Sequence, residues 1–131
     1  RESREFLDLL QTYEISTVVD VRLFPYSKRF PHFVKEQLEE YLSSAGLRYV
    51  HLGRELGGYR DGGYEGYMDT LEFARGVDAL EMIGREVRAA FMCAERLPWK
   101  CHRRFIASEL ERRGWWVIHI IERDRIWQPQ I

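Results

Sequence analysis

Residues 15–21, ISTVVDV, form a nearly unbroken β-branched, apolar run. A strand of this composition carries apolar side chains on both faces, so both faces must be covered. That condition is met inside a parallel sheet. Three more short runs have the same character: LRYVHL at 47–52, AAFMCA at 89–94 and WWVIHII at 115–121. Between the runs the apolar residues recur at helical spacing. Residues 3–13 place Phe6, Leu7, Leu10 and Tyr13 on one face, with Ser3 as an N-cap. Residues 33–45 do the same with Val34, Leu38, Tyr41 and Leu42, and Gly46 is a natural stop. Helices are also expected at 67–75, 77–88 and 101–113, the last ending at Gly114, and a short edge strand around residues 125–127.

Strands that alternate with helices predict an α/β fold. We expect a three-layer, mostly parallel sheet of about four to five strands flanked by helices, Rossmann-like in plan. A chain of 131 residues suits one domain covering residues 1–131. The glycine-rich stretch at 53–66, GRELGGYRDGGYEG, is expected to be a long, mobile loop.

A formal net charge of −1 excludes binding driven by a bulk basic excess. An anion site would have to be a local cluster of arginines. Two cysteines make no disulfide framework. No apolar run approaches the roughly 20 residues of a spanning helix, and there is no signal-peptide pattern. A cytoplasmic protein without a membrane partner is the expectation. Arginine outnumbers lysine and asparagine is absent, which leans towards a thermophilic source.

In a parallel sheet the carboxyl ends of the strands share one edge, where ligands bind in α/β proteins. Asp20, Arg22, His51, Cys93 and Glu95 would meet there, with the more core-like His119 as a lesser candidate. The densest stretch is 90–104, AFMCAERLPWKCHRR, which puts two thiols, a carboxylate, an imidazole and two guanidiniums in one strand–loop–helix turn. Asp20 and Arg22 are two apart at a strand end and so share a face. They suit an oriented pair with Arg22 on an anion, or a structural ion pair that fixes the next loop. Arg29 suits an anion or a solvated loop. Glu95 suits a general acid or base, and equally a salt bridge to Arg22 or Arg103. His102 and Arg103, at a helix start, suit an anion nest, and His51 is placed to join them. Cys101 is the better nucleophile candidate, since a helix N-terminus and neighbouring arginines lower a thiol pKa. Cys93 is more core-like. Tyr59, Tyr64 and Tyr67 suit a lid over a base or sugar, with Tyr67 as a substrate contact, or ordinary surface packing. The spacing of Cys93 and Cys101 is not that of a zinc site, and the glycine-rich stretch is not a P-loop, so neither metal nor cofactor is expected.

Taken together, residues 20–33 (DVRLFPYSKRFPHF), 51–58 (HLGRELGG) and 92–103 (MCAERLPWKCHR) resemble the family named domain of unknown function 488. The resemblance covers nearly the whole chain in order. It implies a small cytoplasmic α/β domain and supplies positions, not a reaction. Family members usually begin with a strand ending in Gly-His-Ser, which the chain is expected to lack.

The function expected is that of an enzyme or ligand-binding domain with an anion pocket at the carboxyl edge of the sheet. Its partner would be a small anionic ligand or nucleotide, or a nucleic-acid end. Asp20, Glu95 and Cys101 are the candidates for chemistry. Arg22, Arg29, His51, Tyr67, His102 and Arg103 are the candidates for binding. The alternatives are rhodanese-like sulfur chemistry through a cysteine, suggested by the VVDVR strand, and a non-catalytic module for nucleic acid or protein.

Overall fold

The computed structural model describes residues 3–22, 35–58, 60, 63–92, 102–115, 117, 119–122 and 125–127. The elements run α1 (Ser3–Thr12), β1 (Thr17–Asp20), α2 (Lys35–Ser44), β2 (Arg48–His51), α3 (Gly53–Leu56), α4 (Tyr64–Tyr67), α5 (Leu71–Glu86), β3 (Ala89–Met92), α6 (Arg103–Arg112), β4 (His119–Glu122) and β5 (Arg125–Trp127). No helix among the described residues is long and apolar enough to cross a membrane.

β1 is the centre of a parallel sheet of order β2-β1-β3. Every residue of β1 is buried, as the continuous β-branched run requires. Period-two alternation splits its side chains between two cores. Val18 packs with Leu10 of α1 and with Leu38 and Leu42 of α2. Val19, with Val21 just beyond the strand, packs with Leu56 of α3, with Phe73, Val77 and Leu80 of α5, and with Ile106 and Leu110 of α6. The sheet therefore has helices on both faces, the expected three layers.

The winding follows from this division. The chain leaves β1, crosses one face through α2 and returns in β2. It then crosses the other face through α3, α4 and α5 to reach β3 on the far side of β1. Moving first one way and then back requires opposite faces if both crossovers keep the usual right hand. β1 leads to a helix on one face, and β3, its neighbour, leads to α6 on the other. The carboxyl ends of β1 and β3 are thus a topological switch point, the place where ligands bind in open α/β sheets.

Three expectations are corrected. The parallel sheet has three strands among the described residues, not four to five. The described part of the WWVIHII run does not extend it: among the described residues its strand structure is in β4, from His119, and β4 pairs antiparallel with β5. The two strands are two residues apart in sequence, a connection short enough for a hairpin but far too short for a parallel crossover. Trp115 is also turned elsewhere. Its Nε1 donates to Glu81 at 2.8 Å, and its ring lies against Gly84 of α5.

The helices expected at 67–75 and 77–88 are instead one helix, α5, which starts at a cap where Thr70 Oγ1 accepts from the Phe73 N–H. Gly76 does not interrupt it, because Gly76 is a packing contact. A β-carbon there would come 2.7 Å from Glu55 Cβ and 2.8 Å from the Leu56 side chain. The loop expected at 53–66 contains α3 and the start of α4. α5 and α6 are joined by Arg113, which donates to Asp78, Glu81 and Glu109.

The Gly76 contact is testable. Gly76→Ala gains about 1 kcal/mol of helix propensity but overpacks a tight contact at a typical cost of about 1–3 kcal/mol. The urea midpoint should fall. An unchanged or higher midpoint would show that α3 and α5 have slack at this position.

Candidate functional site

The site is built on the place where β1 runs out of partners. Buried carbonyls must be satisfied. The Asp20 carbonyl accepts from the Leu52 N–H at 2.9 Å, the last backbone bond on that side of β1. The next two carbonyls are bonded by side chains. Val21 O lies 3.1 Å from His102 Nε2, and Arg22 O lies 2.8 Å from His51 Nε2. A carbonyl can only accept, so each ring carries a proton on Nε2. One imidazole arrives from the end of β2, the other from the start of α6. Gly53 makes room for this, since a β-carbon there would collide with the Arg22 carbonyl and the His51 ring.

Asp20 and Arg22 lie on the α1/α2 side of this edge. Asp20 is 0% exposed and Arg22 6%. Arg22 Nε donates to Asp20 Oδ1 at 2.8 Å and Nη2 to Oδ2 at 2.7 Å, a bidentate fork. The Arg22 backbone N–H donates to Oδ1 at 3.1 Å, and the Tyr49 hydroxyl to Oδ2 at 2.6 Å. Four donors fill the four acceptor positions of the carboxylate. Burial, followed by the bond to Asp20, pushes the Tyr49 phenol far above its usual range, so it stays a donor.

The opposite side carries His102. Its ring leans on Tyr64, with centroids 5.4 Å apart, and Tyr64 stacks on Phe105 at 5.6 Å. Burial holds the His102 pKa below its ordinary value. The charges of Arg103 and Arg60 push the same way, and the bond to Val21 opposes them.

The glycine-rich stretch is tied down where it is described. Tyr64 donates to Leu56 O at 2.7 Å and Tyr67 to Glu55 O at 2.6 Å. Arg60 donates from Nε to Gly57 O at 2.9 Å and from Nη2 to Arg54 O at 2.6 Å. Its guanidinium lies 3.8 Å from the centre of the Tyr67 ring. The last carbonyls of α3 are thereby capped by two phenols and a guanidinium.

The family model described as Domain of unknown function DUF488 matches residues 2–110. The chain belongs to the DUF488 family. The matched span takes in β1, β2 and β3 and ends within α6, so the parallel sheet and both imidazoles lie inside it. No curated protein and no solved structure matches the chain.

Within this DUF488 domain, Asp20, Arg22, His51 and His102 gather around the exit of β1. Arg103 follows His102 and is close enough to act on its charge. Asp20 and Arg22 are separated from His102 by the sheet edge. Tyr67 is at the far end of the Arg60 clasp, with its hydroxyl on α3. Arg29, Glu95 and Cys101 lie outside the described residues, as do Cys93 and Tyr59. The His119 backbone pairs with Trp127 in β4 and β5, away from the parallel sheet's ladder.

Two members of the arrangement were not singled out from sequence. Tyr49 is two residues before His51, and period-two spacing puts it beside Asp20. Arg60 is the lone basic residue between Arg54 and Arg75, in a stretch of glycine, tyrosine and acids.

The lowered pKa of His102 has a consequence for stability. The unfolded chain takes up a proton near pH 6.5, while the folded chain resists it. The contribution is therefore complete above about pH 6.5 and is lost as pH falls through the lower folded value. In urea unfolding between pH 7.5 and 5.5, wild type should lose stability more steeply than His102→Gln. Equal slopes would contradict this placement of His102.

Proposed function

We infer that this DUF488 domain binds a phosphate-bearing anion in the crevice at the carboxyl ends of β1 and β3. The observation that carries this is the switch point itself. In doubly wound sheets ligands sit in the crevice where neighbouring strands send their helices to opposite faces. In support of this reading, Arg22 stands at the end of β1 towards one face of the sheet, and His102 and Arg103, at the start of α6, stand towards the other.

The parts can be divided by chemistry. Asp20 already accepts from four donors, so its role is to hold Arg22, not to carry protons. The carbonyl-bound His51 imidazole has its second nitrogen as an acceptor while neutral. His51 therefore suits a donor on the ligand, such as a sugar hydroxyl, better than the anion itself. Arg29 and Arg103 supply the positive charge, Glu95 acts as acid or base, and Cys101 is a secondary candidate for covalent chemistry. A free phosphate, a nucleotide and a nucleic-acid end share the chemistry this site would recognise.

A panel of nucleotides and phosphoesters, screened by thermal shift, tests the assignment. A ligand at about 100 times its Kd stabilises by roughly 2.7 kcal/mol, a rise of several degrees for a domain of this size. The rise should shrink in Arg103→Ala and Glu95→Gln. No response in wild type, or an equal response in all three proteins, would refute it.

A further inference from the structure

We propose that Arg60 is an anion-binding arginine of this site, receiving the phosphoryl group of a small phosphate monoester. The proposal rests on the pocket inferred above and names a residue and a ligand class for it.

The first observation is a fixed cation with no acid paired to it among the described residues. Arg60 makes no ion pair among the described residues. Its described partners are the carbonyls of Gly57 and Arg54, a longer contact of 3.5 Å to Gly53 O, and the Tyr67 ring. Carbonyls and a π-face orient a guanidinium but do not neutralise it. Other arginines that interact with acids here are paired outright, as Arg22 is with Asp20 and Arg113 with Glu81. Capping α3 occupies Nε and Nη2, and among the described residues Nη1 bonds no acceptor. An arginine held this way has already given up much of its side-chain freedom, so an anion meets a preorganised donor.

The second observation is position. The Arg60 guanidinium lies over the Tyr67 ring, Tyr67 meets Tyr64 with ring centres 5.7 Å apart, and Tyr64 leans on His102 at 5.4 Å, which places Arg60 on the α3/α5/α6 side of the sheet edge, the side bearing His102. Two residues before Arg60, Gly58 presents bare backbone to the imidazole. A β-carbon there would stand 3.3 Å from His102 Nδ1. A glycine here lets the backbone that leads to Arg60 close against the ring. With Nε and Nη2 already on carbonyls, the two-nitrogen fork that a carboxylate takes is engaged, whereas a phosphoryl group, with three acceptor oxygens, can be met at a single nitrogen.

The test is titration of the full chain with inorganic phosphate and with AMP, read by calorimetry in wild type and Arg60→Gln. Wild type should bind, and the variant should lose about tenfold or more in affinity, the scale of one charge-assisted hydrogen bond. Because Arg60 also caps α3, the variant's fold is at risk, so the wild-type Arg60 Nε–Hε resonance is followed in the same titrations. A shift of that resonance with binding supports the assignment. Binding to wild type with that resonance unmoved, or with affinity retained within twofold in Arg60→Gln, overturns the role of Arg60 and leaves the pocket standing. Absence of binding to wild type by either probe overturns the pocket and Arg60 together.

Discussion

The buried fork between Asp20 and Arg22 is the interaction on which the rest of the arrangement depends. Two charges are withdrawn from water at the end of the central strand. Such a pair repays its desolvation only when the geometry is good and the remaining hydrogen-bonding positions are filled. Here two parallel N–H groups, a backbone N–H and the Tyr49 phenol complete the carboxylate. The backbone N–H of Arg22 is itself one of those donors. Side chain and main chain are thus locked as one unit, and the course of the chain beyond β1 is set by it.

That course decides where three successive carbonyls go. One is taken by the β2 backbone and two by imidazoles drawn from opposite directions, β2 and α6. The elements around the end of β1 are therefore coupled through the same few atoms. His102 ties α6 to β1, Tyr64 ties His102 to α3 and α4, and Arg60 ties that segment to the last carbonyls of α3. An anion bound among these groups would meet donors already held in place, which lowers the ordering cost of binding.

Much of the frame was legible because it depends on local pattern. The β-branched run at 15–21 announced a strand buried on both faces. Gly46 and Gly114, with φ of 83° and 97°, stop α2 and α6 where helical spacing placed the stops. The shared face of Asp20 and Arg22 follows from period two alone. What failed depended on contacts between distant residues. Gly76 looks like a break until Glu55 and Leu56 are seen packed against it. The run at 115–121 looks like a fourth parallel strand until Trp115 is found bonded to Glu81. Tyr49 and Arg60 carried weak signals because their importance lies in what they touch: a carboxylate in a neighbouring strand, and the carbonyls at a helix end. The thiols and Glu95, which dominate the sequence of 90–104, fall outside the described residues, and the site as described rests on imidazoles, guanidiniums and phenols.

The central claim is that Asp20 and Arg22 act as a single buried unit at the exit of β1. A double-mutant cycle with Asp20→Asn and Arg22→Met, read by urea unfolding, tests it most directly. Each single change leaves an uncompensated group in the interior and should cost about 3–5 kcal/mol. The double change should cost little more than either alone, because the second removes the group stranded by the first. Costs that simply add, or single changes within about 0.5 kcal/mol of wild type, would contradict the account.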